Sequence, residues 1–165
     1  MGEVSAAVTI NNAGAAFMSR RGLLPKDQIR SVTVEAVVDT GAVRSCIPED
    51  LKEKLGLETI RHSNARMANG QVDSVELTEA AYIDILGRVA TESFLVQGGE
   101  VLIGQTALES TDLLPDCTRQ KVITNLDHPN SAIIRMRTAS GARLENWRSY
   151  LGICAMGNLG SRGTC

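Results

Sequence analysis

Aromatic side chains are nearly absent from this 165-residue sequence, at 3% of the total. Any core must therefore be filled by Val, Ile, Leu and Ala. No run of about 18 apolar residues occurs, so no membrane-spanning helix is expected. Strong positive charge is missing too. The net charge is −2, which gives no general pull towards nucleic acid or an anionic membrane. The four cysteines, Cys46, Cys117, Cys154 and Cys165, show no CxxC spacing, and only two histidines accompany them. No metal site and no cofactor is expected. Free thiols in a reducing cytoplasm are the simpler reading. The first residues, MGEVSAAVTINNAGAAF, lack a basic start and carry Asn11-Asn12 within their apolar part. They do not read as a signal peptide. No internal repeat is visible.

What is present suits one globular domain, with 43% hydrophobic and 22% charged residues. Val4–Ile10 reads as a strand, and Asn11–Gly22 as a Gly-containing loop. Over Val32–Val38 the residues Val32, Val34, Ala36 and Val38 share one face, the period of a half-buried strand. Pro48–Gly56 reads as a helix, with Pro at its start, acids in the first turn and Gly at its end. Asn69-Gly70 marks a tight hairpin turn. Val75, Leu77, Ala81, Ile83 and Ile85 share one parity of a long strand, and Val89–Val96 is its hairpin partner. Val101–Ile103 is a short apolar run ending on Gly104. A short helix is expected over Gln105–Leu114, a turn at Asp116–Thr118 and a last strand over Gln120–Thr124. Many short strands with one or two small helices describe a mostly-β barrel or sandwich.

The stretch Glu35–Pro48, EAVVDTGAVRSCIP, runs an apolar strand into Asp39-Thr40-Gly41. An Asp there can simply cap a turn. Three chemistries also place an Asp in such a loop. A P-type ATPase needs Lys-Thr-Gly after it, and the Lys is missing. An actin-like phosphotransferase needs two large α/β domains, which this length cannot supply. Aspartic proteolysis needs two carboxyls around one water, one as base and one, protonated, polarising the scissile carbonyl. Two such carboxyls share a proton and titrate as a unit. Gly41 permits the sharp turn, the Thr40 hydroxyl can bond across to an opposite loop, and Ala42 is small enough to pack beneath. Only one Asp-Thr-Gly occurs. The second must come from another copy of the chain, so catalysis implies a homodimer with the site on its two-fold axis.

Three motifs in order carry a family resemblance. They are Val37-Val38-Asp39-Thr40-Gly41-Ala42, continued by Ser45-Cys46-Ile47-Pro48; Met67-Ala68-Asn69-Gly70-Gln71; and Val101-Leu102-Ile103-Gly104-Gln105. Over roughly Val4 to Arg137 the chain resembles a retropepsin-like (retroviral-type) aspartic protease of the small, single-domain prokaryotic kind. The resemblance implies a homodimeric, mostly-β acid-protease barrel acting on a polypeptide substrate, without nucleic acid or membrane as partner. It implies catalysis by Asp39, with Thr40 and Gly41. It implies substrate contacts from Ala42 and from a flap carrying Ala68, Asn69, Gly70 and Gln71, and support of the catalytic loop by Ile103 and Gly104. The sequence departs from viral members after Gly104, where Gln105-Thr106 replaces Arg followed by Asn or Asp, and in a flap turn with fewer glycines. A catalytically silent, dimeric retropepsin-like domain that holds a peptide or a partner in its dimer groove is the alternative.

Several residues have plainer readings. Tyr82 reads as a half-buried strand residue, His62 and His128 as solvated, and Cys46 as packing. Residues 138–165 are rich in Gly and Ser without sustained period, and read as a tail beyond a 1–137 domain. Truncation after Arg137 is expected to leave the thermal unfolding transition unchanged; a collapse of folding would place the tail in the core.

Overall fold

A computed structural model of the protein describes residues 3–66 and 70–134, all within one compact unit, Met1–Ile134. The fold is mostly β. Nine strands run β1 Val4–Asn12, β2 Ser31–Val38, β3 Cys46–Ile47, β4 Thr59–Arg66, β5 Val72–Ile85, β6 Arg88–Val96, β7 Leu102–Ile103, β8 Leu113–Asp116 and β9 Lys121–Thr124. Three short helices join them: α1 Ala13–Arg20, α2 Glu49–Leu55 and α3 Gln105–Thr111. The strands lie in the order β4-β5-β6-β3-β7-β2-β1-β9-β8, and β5 pairs with β1 as well. The path of pairings from β5 through β6, β3, β7, β2 and β1 therefore returns to β5.

Alternation sets the inward face, because successive strand side chains point to opposite sides. On β1, Val4, Ala6, Val8 and Ile10 are buried, and on β2 Ala36 and Val38 are, with Val32 and Val34 packed against them. On β5 the buried set is Val75, Leu77, Ala81, Ile83 and Ile85. A register shift between Leu77 and Ala80 turns Thr78 inward. Its hydroxyl donates to the Glu79 carbonyl and accepts the Phe94 N–H. Phe94 is the one fully buried aromatic among the described residues. The rest of the core is aliphatic, as the composition requires.

The helices are more numerous than the sequence suggests. The segment read as a loop after Ile10 holds α1. Asn12 extends β1 and caps this helix, its Oδ1 accepting the Ala15 N–H at 2.8 Å. The cap and three alanines outweigh the Gly14 that makes the segment look like loop. The same Asn12 amide donates to the carbonyls of Leu55 and Gly56 and to Glu79 Oε1. Pro48 is the N-cap of α2, and Gly56 closes that helix at φ 62°. A side chain on Gly56 would also strike Arg30.

Helix α3 ends at Thr111, earlier than the expected Leu114. Asp112 adopts the left-handed conformation at φ 52° and releases Leu113 and Leu114 into β8. A non-glycine is held there because its carboxylate is bound from several sides. It accepts from Asn125 Nδ2 at 2.8 Å and from the Ile133 N–H at 3.1 Å, and lies 2.8 Å from His128 Nδ1. His128, read as solvated, is thus a structural partner. Arg88 donates to the carbonyls of Thr111, Asp112 and His128, which satisfies the helix end. This knot ties the 125–134 segment to α3 and β6. Asn125 above all, then the Ile133 N–H and His128, hold the Asp112 carboxyl down to about 2. A depressed carboxylate stabilises the fold above its ordinary value near 3.8, and that contribution is lost as pH falls towards 2. The urea midpoint of Asp112→Asn is expected to lie below wild type at pH 6, with the gap closing between about pH 4 and pH 2. A gap that stays constant across that range would refute the knot.

Candidate active site

Asp39 stands where β2 ends, and its position follows from what brackets β2. Strand β7 pairs parallel to β2, with Val37 opposite Leu102 and Val38 opposite Ile103. The Val37 N–H donates to the Val101 carbonyl at 2.9 Å, and the Asp39 N–H donates to the Ile103 carbonyl at 3.0 Å. The ladder stops at Asp39 because the chain turns: the Ala42 N–H donates back to the Asp39 carbonyl at 3.2 Å. The Gly41 N–H donates to Asp39 Oδ1 at 2.8 Å, fixing the carboxylate to its own loop. A Cβ on Gly41 would lie 3.1 Å from that oxygen, so even a methyl group there would crowd the carboxylate.

The loop is held from behind by α3 and its approach. The N–H groups of Gln105 and Thr106 donate to the carbonyls of Ala42 and Val43, at 2.8 and 3.1 Å. The Thr106 hydroxyl adds a second bond to Val43 at 2.8 Å. Gly104 is fully inside. A Cβ placed on it would fall 2.6 Å from the Arg44 carbonyl carbon and 2.9 Å from the Ala42 oxygen. No side chain fits at that approach.

A third support escaped the sequence reading. Glu92 of β6 is buried, at 5% exposure. Its Oε2 accepts the Ser45 hydroxyl at 2.8 Å, and its Oε1 the Ser45 N–H at 3.3 Å. Ser45 Oγ in turn accepts the Gly104 N–H at 3.1 Å. The chain Glu92–Ser45–Gly104 joins β6 to both sides of the loop. The signal was present: Glu92 shares its inward parity with Ala90 and Phe94, which is unusual for an unpaired acid. Next to Ser45, the Cys46 thiol is pushed up from its ordinary value by burial first, then by the charges of Glu92 and Asp39. A thiol held protonated is a poor nucleophile.

In front of the loop lies an open cleft of about 790 Å³. Asp39, Gly41 and Ala42 line it from the loop, and Ala65 and Arg66 from the end of β4. Residues 97–100 close a further side. The β4–β5 hairpin is formed, with Arg66 opposite Val72, which is where the flap was expected. Ala68 and Asn69 lie outside the described residues. Gly70 sits at φ 84°, a conformation that favours glycine. Gly70 and Gln71 are exposed and do not line the cleft. Thr40 is exposed, with no hydrogen bond from its hydroxyl among the described residues. Ile103 and Gly104 lie buried behind the loop. Tyr82 is half-buried away from the cleft, where its hydroxyl accepts from Arg20 at 3.1 Å.

Residues 26–110, more than half of the chain, match the family described as "gag-polyprotein putative aspartyl protease". The chain belongs to this retroviral-type aspartyl protease family. It is similar to the crystal structure of the retroviral protease-like domain of Ddi1 from Leishmania major, with 17% identity and a TM-score of 0.48 over 76% of this chain and 90% of that one. No curated protein matches it.

The two glycine environments give a direct test of the clamp. Gly104→Ala is expected to cost about 1–3 kcal/mol of stability, because the backbone carbonyls of 42 and 44 must move. Gly99→Ala, which would meet nothing within 4 Å, is expected to be neutral within about 0.5 kcal/mol. Urea midpoints of the two variants check this; equal effects would refute it.

Proposed function

We propose that the protein is an aspartic endopeptidase. The observation that carries this reading is the placement of Asp39: exposed at the mouth of a cleft, yet fixed by its own loop and by β7. Catalysis requires a second carboxylate, and the chain offers one Asp-Thr-Gly. The working enzyme is therefore a homodimer with an Asp39 from each protomer. The unbonded Thr40 hydroxyl suits a bond to the loop of the other protomer. The pairing path that returns to β5 supports a barrel for each protomer, and the β4–β5 hairpin acts as its flap over an extended polypeptide.

In that dimer the two carboxyls hold one proton and one water between them. The ionised Asp39 takes a proton from the water as its oxygen attacks the scissile carbonyl carbon. The protonated Asp39 gives its proton to the carbonyl oxygen, producing a neutral gem-diol. Return of a proton to the amide nitrogen then breaks the C–N bond, leaving a carboxyl and an amine. Burial of two like carboxyls is costly unless they share that proton.

Asp39→Asn keeps the shape and removes the ionisable group. The variant is expected to fold and dimerise with activity lowered at least about 10²–10⁴-fold. Wild-type activity on an unfolded protein is expected to be blocked by a statine-type analogue. Cleavage that survives Asp39→Asn, or that yields to a thiol reagent instead, would sink the aspartic mechanism. A sedimentation profile showing only monomer, with no proteolysis, would favour a silent peptide-binding domain.

A further inference from the structure

The cleft carries charge that peptide hydrolysis itself does not use. Arg44 enters it from the catalytic loop and Arg66 from the end of β4. Both are exposed. Among the other described arginines, Arg20 bonds Tyr82, Arg30 the Glu53 carbonyl, Arg88 three carbonyls and Arg119 the Asp116 carboxylate; Arg21 lies over the Phe17 ring, and Arg61 is exposed outside the cleft. The side chains of Arg44 and Arg66 make no hydrogen bond or ion pair among the described residues. Apart from Asp39, the acid on the cleft wall is Glu100, and it is not paired with either. Between the charges the lining is apolar, from Val43, Leu95 and Leu102.

We propose that Arg44 and Arg66, set on two walls of the Asp39 cleft, select polypeptide segments with an acidic side chain flanking an apolar centre. This rests on the cleft being the substrate site of the proposed protease. An extended peptide presents alternate side chains to opposite walls, so an apolar residue can face Leu95 and Leu102 while its neighbours reach the arginines. A guanidinium presents two parallel N–H donors that match a carboxylate. An arginine without a protein partner gives up no existing bond to receive one. Glu100 lies in the same cleft and opposes the effect, so its charge sets how strong the preference is.

The test uses fluorogenic peptides with one apolar centre, flanked by Glu, Gln or Lys. With full-length wild-type protein, kcat/KM is expected to rank Glu above Gln above Lys, with Glu over Lys by about tenfold. The ratio should shrink in high salt as the charges are screened. Arg44→Ala and Arg66→Ala should each reduce it, Glu100→Gln should widen it, and Arg44→Glu should reverse it in favour of Lys. Arg66→Glu serves if Arg44→Glu unfolds by circular dichroism. Binding of the same peptides to the Asp39→Asn protein, read by fluorescence anisotropy, gives a readout that needs no turnover. Cleavage with no charge ranking, unchanged by the swaps, overturns the inference and leaves the protease reading intact. Charge-ranked binding without cleavage supports the inference and overturns the protease reading. Neither cleavage nor binding of any peptide overturns both.

Discussion

The architecture around Asp39 depends on one close approach. Gly104 packs its backbone against the carbonyls of Ala42 and Arg44, at a distance that excludes a single methyl group. That contact lets the N–H groups of Gln105 and Thr106 reach the Asp39 loop, and lets Gly104 itself bond Ser45. Interiors close-packed in this way have few soft responses. A loop clamped by backbone groups on one side and by a buried carboxylate on the other can hold the Asp39 carboxylate still while leaving it open to solvent. The order of strands serves the same end. Placing β7 between β2 and β3 puts the two loop ends and the Gly104 segment side by side, although they are some sixty residues apart in the chain.

Glu92 gives this clamp a polar centre. A buried acid costs free energy unless its oxygens are bonded, and here both accept from one residue, Ser45. Support by hydroxyl and backbone N–H groups is short-ranged and directional, so it depends more on packing than on ionic strength.

How much of this was legible follows from where the determining contacts lie. Period-two alternation exposed β2 and β5, because each buries one face only; β1 was legible as an apolar stretch and β6 as the hairpin partner of β5. The terminators of α2 were legible since Pro48 and Gly56 act locally. The loop around Asp39 was legible as a motif, and so was the glycine behind it. Helix α1 was missed because its cap, Asn12, draws most of its bonds from α2 and β5, far along the chain. The end of α3 was missed for the same reason: Asp112 is left-handed only because Asn125, His128 and the Ile133 N–H bind it. The cleft's arginines were equally invisible, since only the fold brings β4 opposite the Asp39 loop.

Asn12 shows what such economy entails. Its amide nitrogen faces three acceptors, Leu55, Gly56 and Glu79, while its oxygen accepts from Ala15. An aspartate of identical outline offers acceptors only, so it would turn three attractions into repulsions at the junction of β1, α1, α2 and β5. Glutamine would overshoot, and leucine would leave the carbonyls dry. Asparagine alone among these four both donates and accepts at this reach. Spontaneous hydrolysis of that single amide, a chemical ageing that alters the molecule by about one dalton, would replace the donor with an acceptor facing three others.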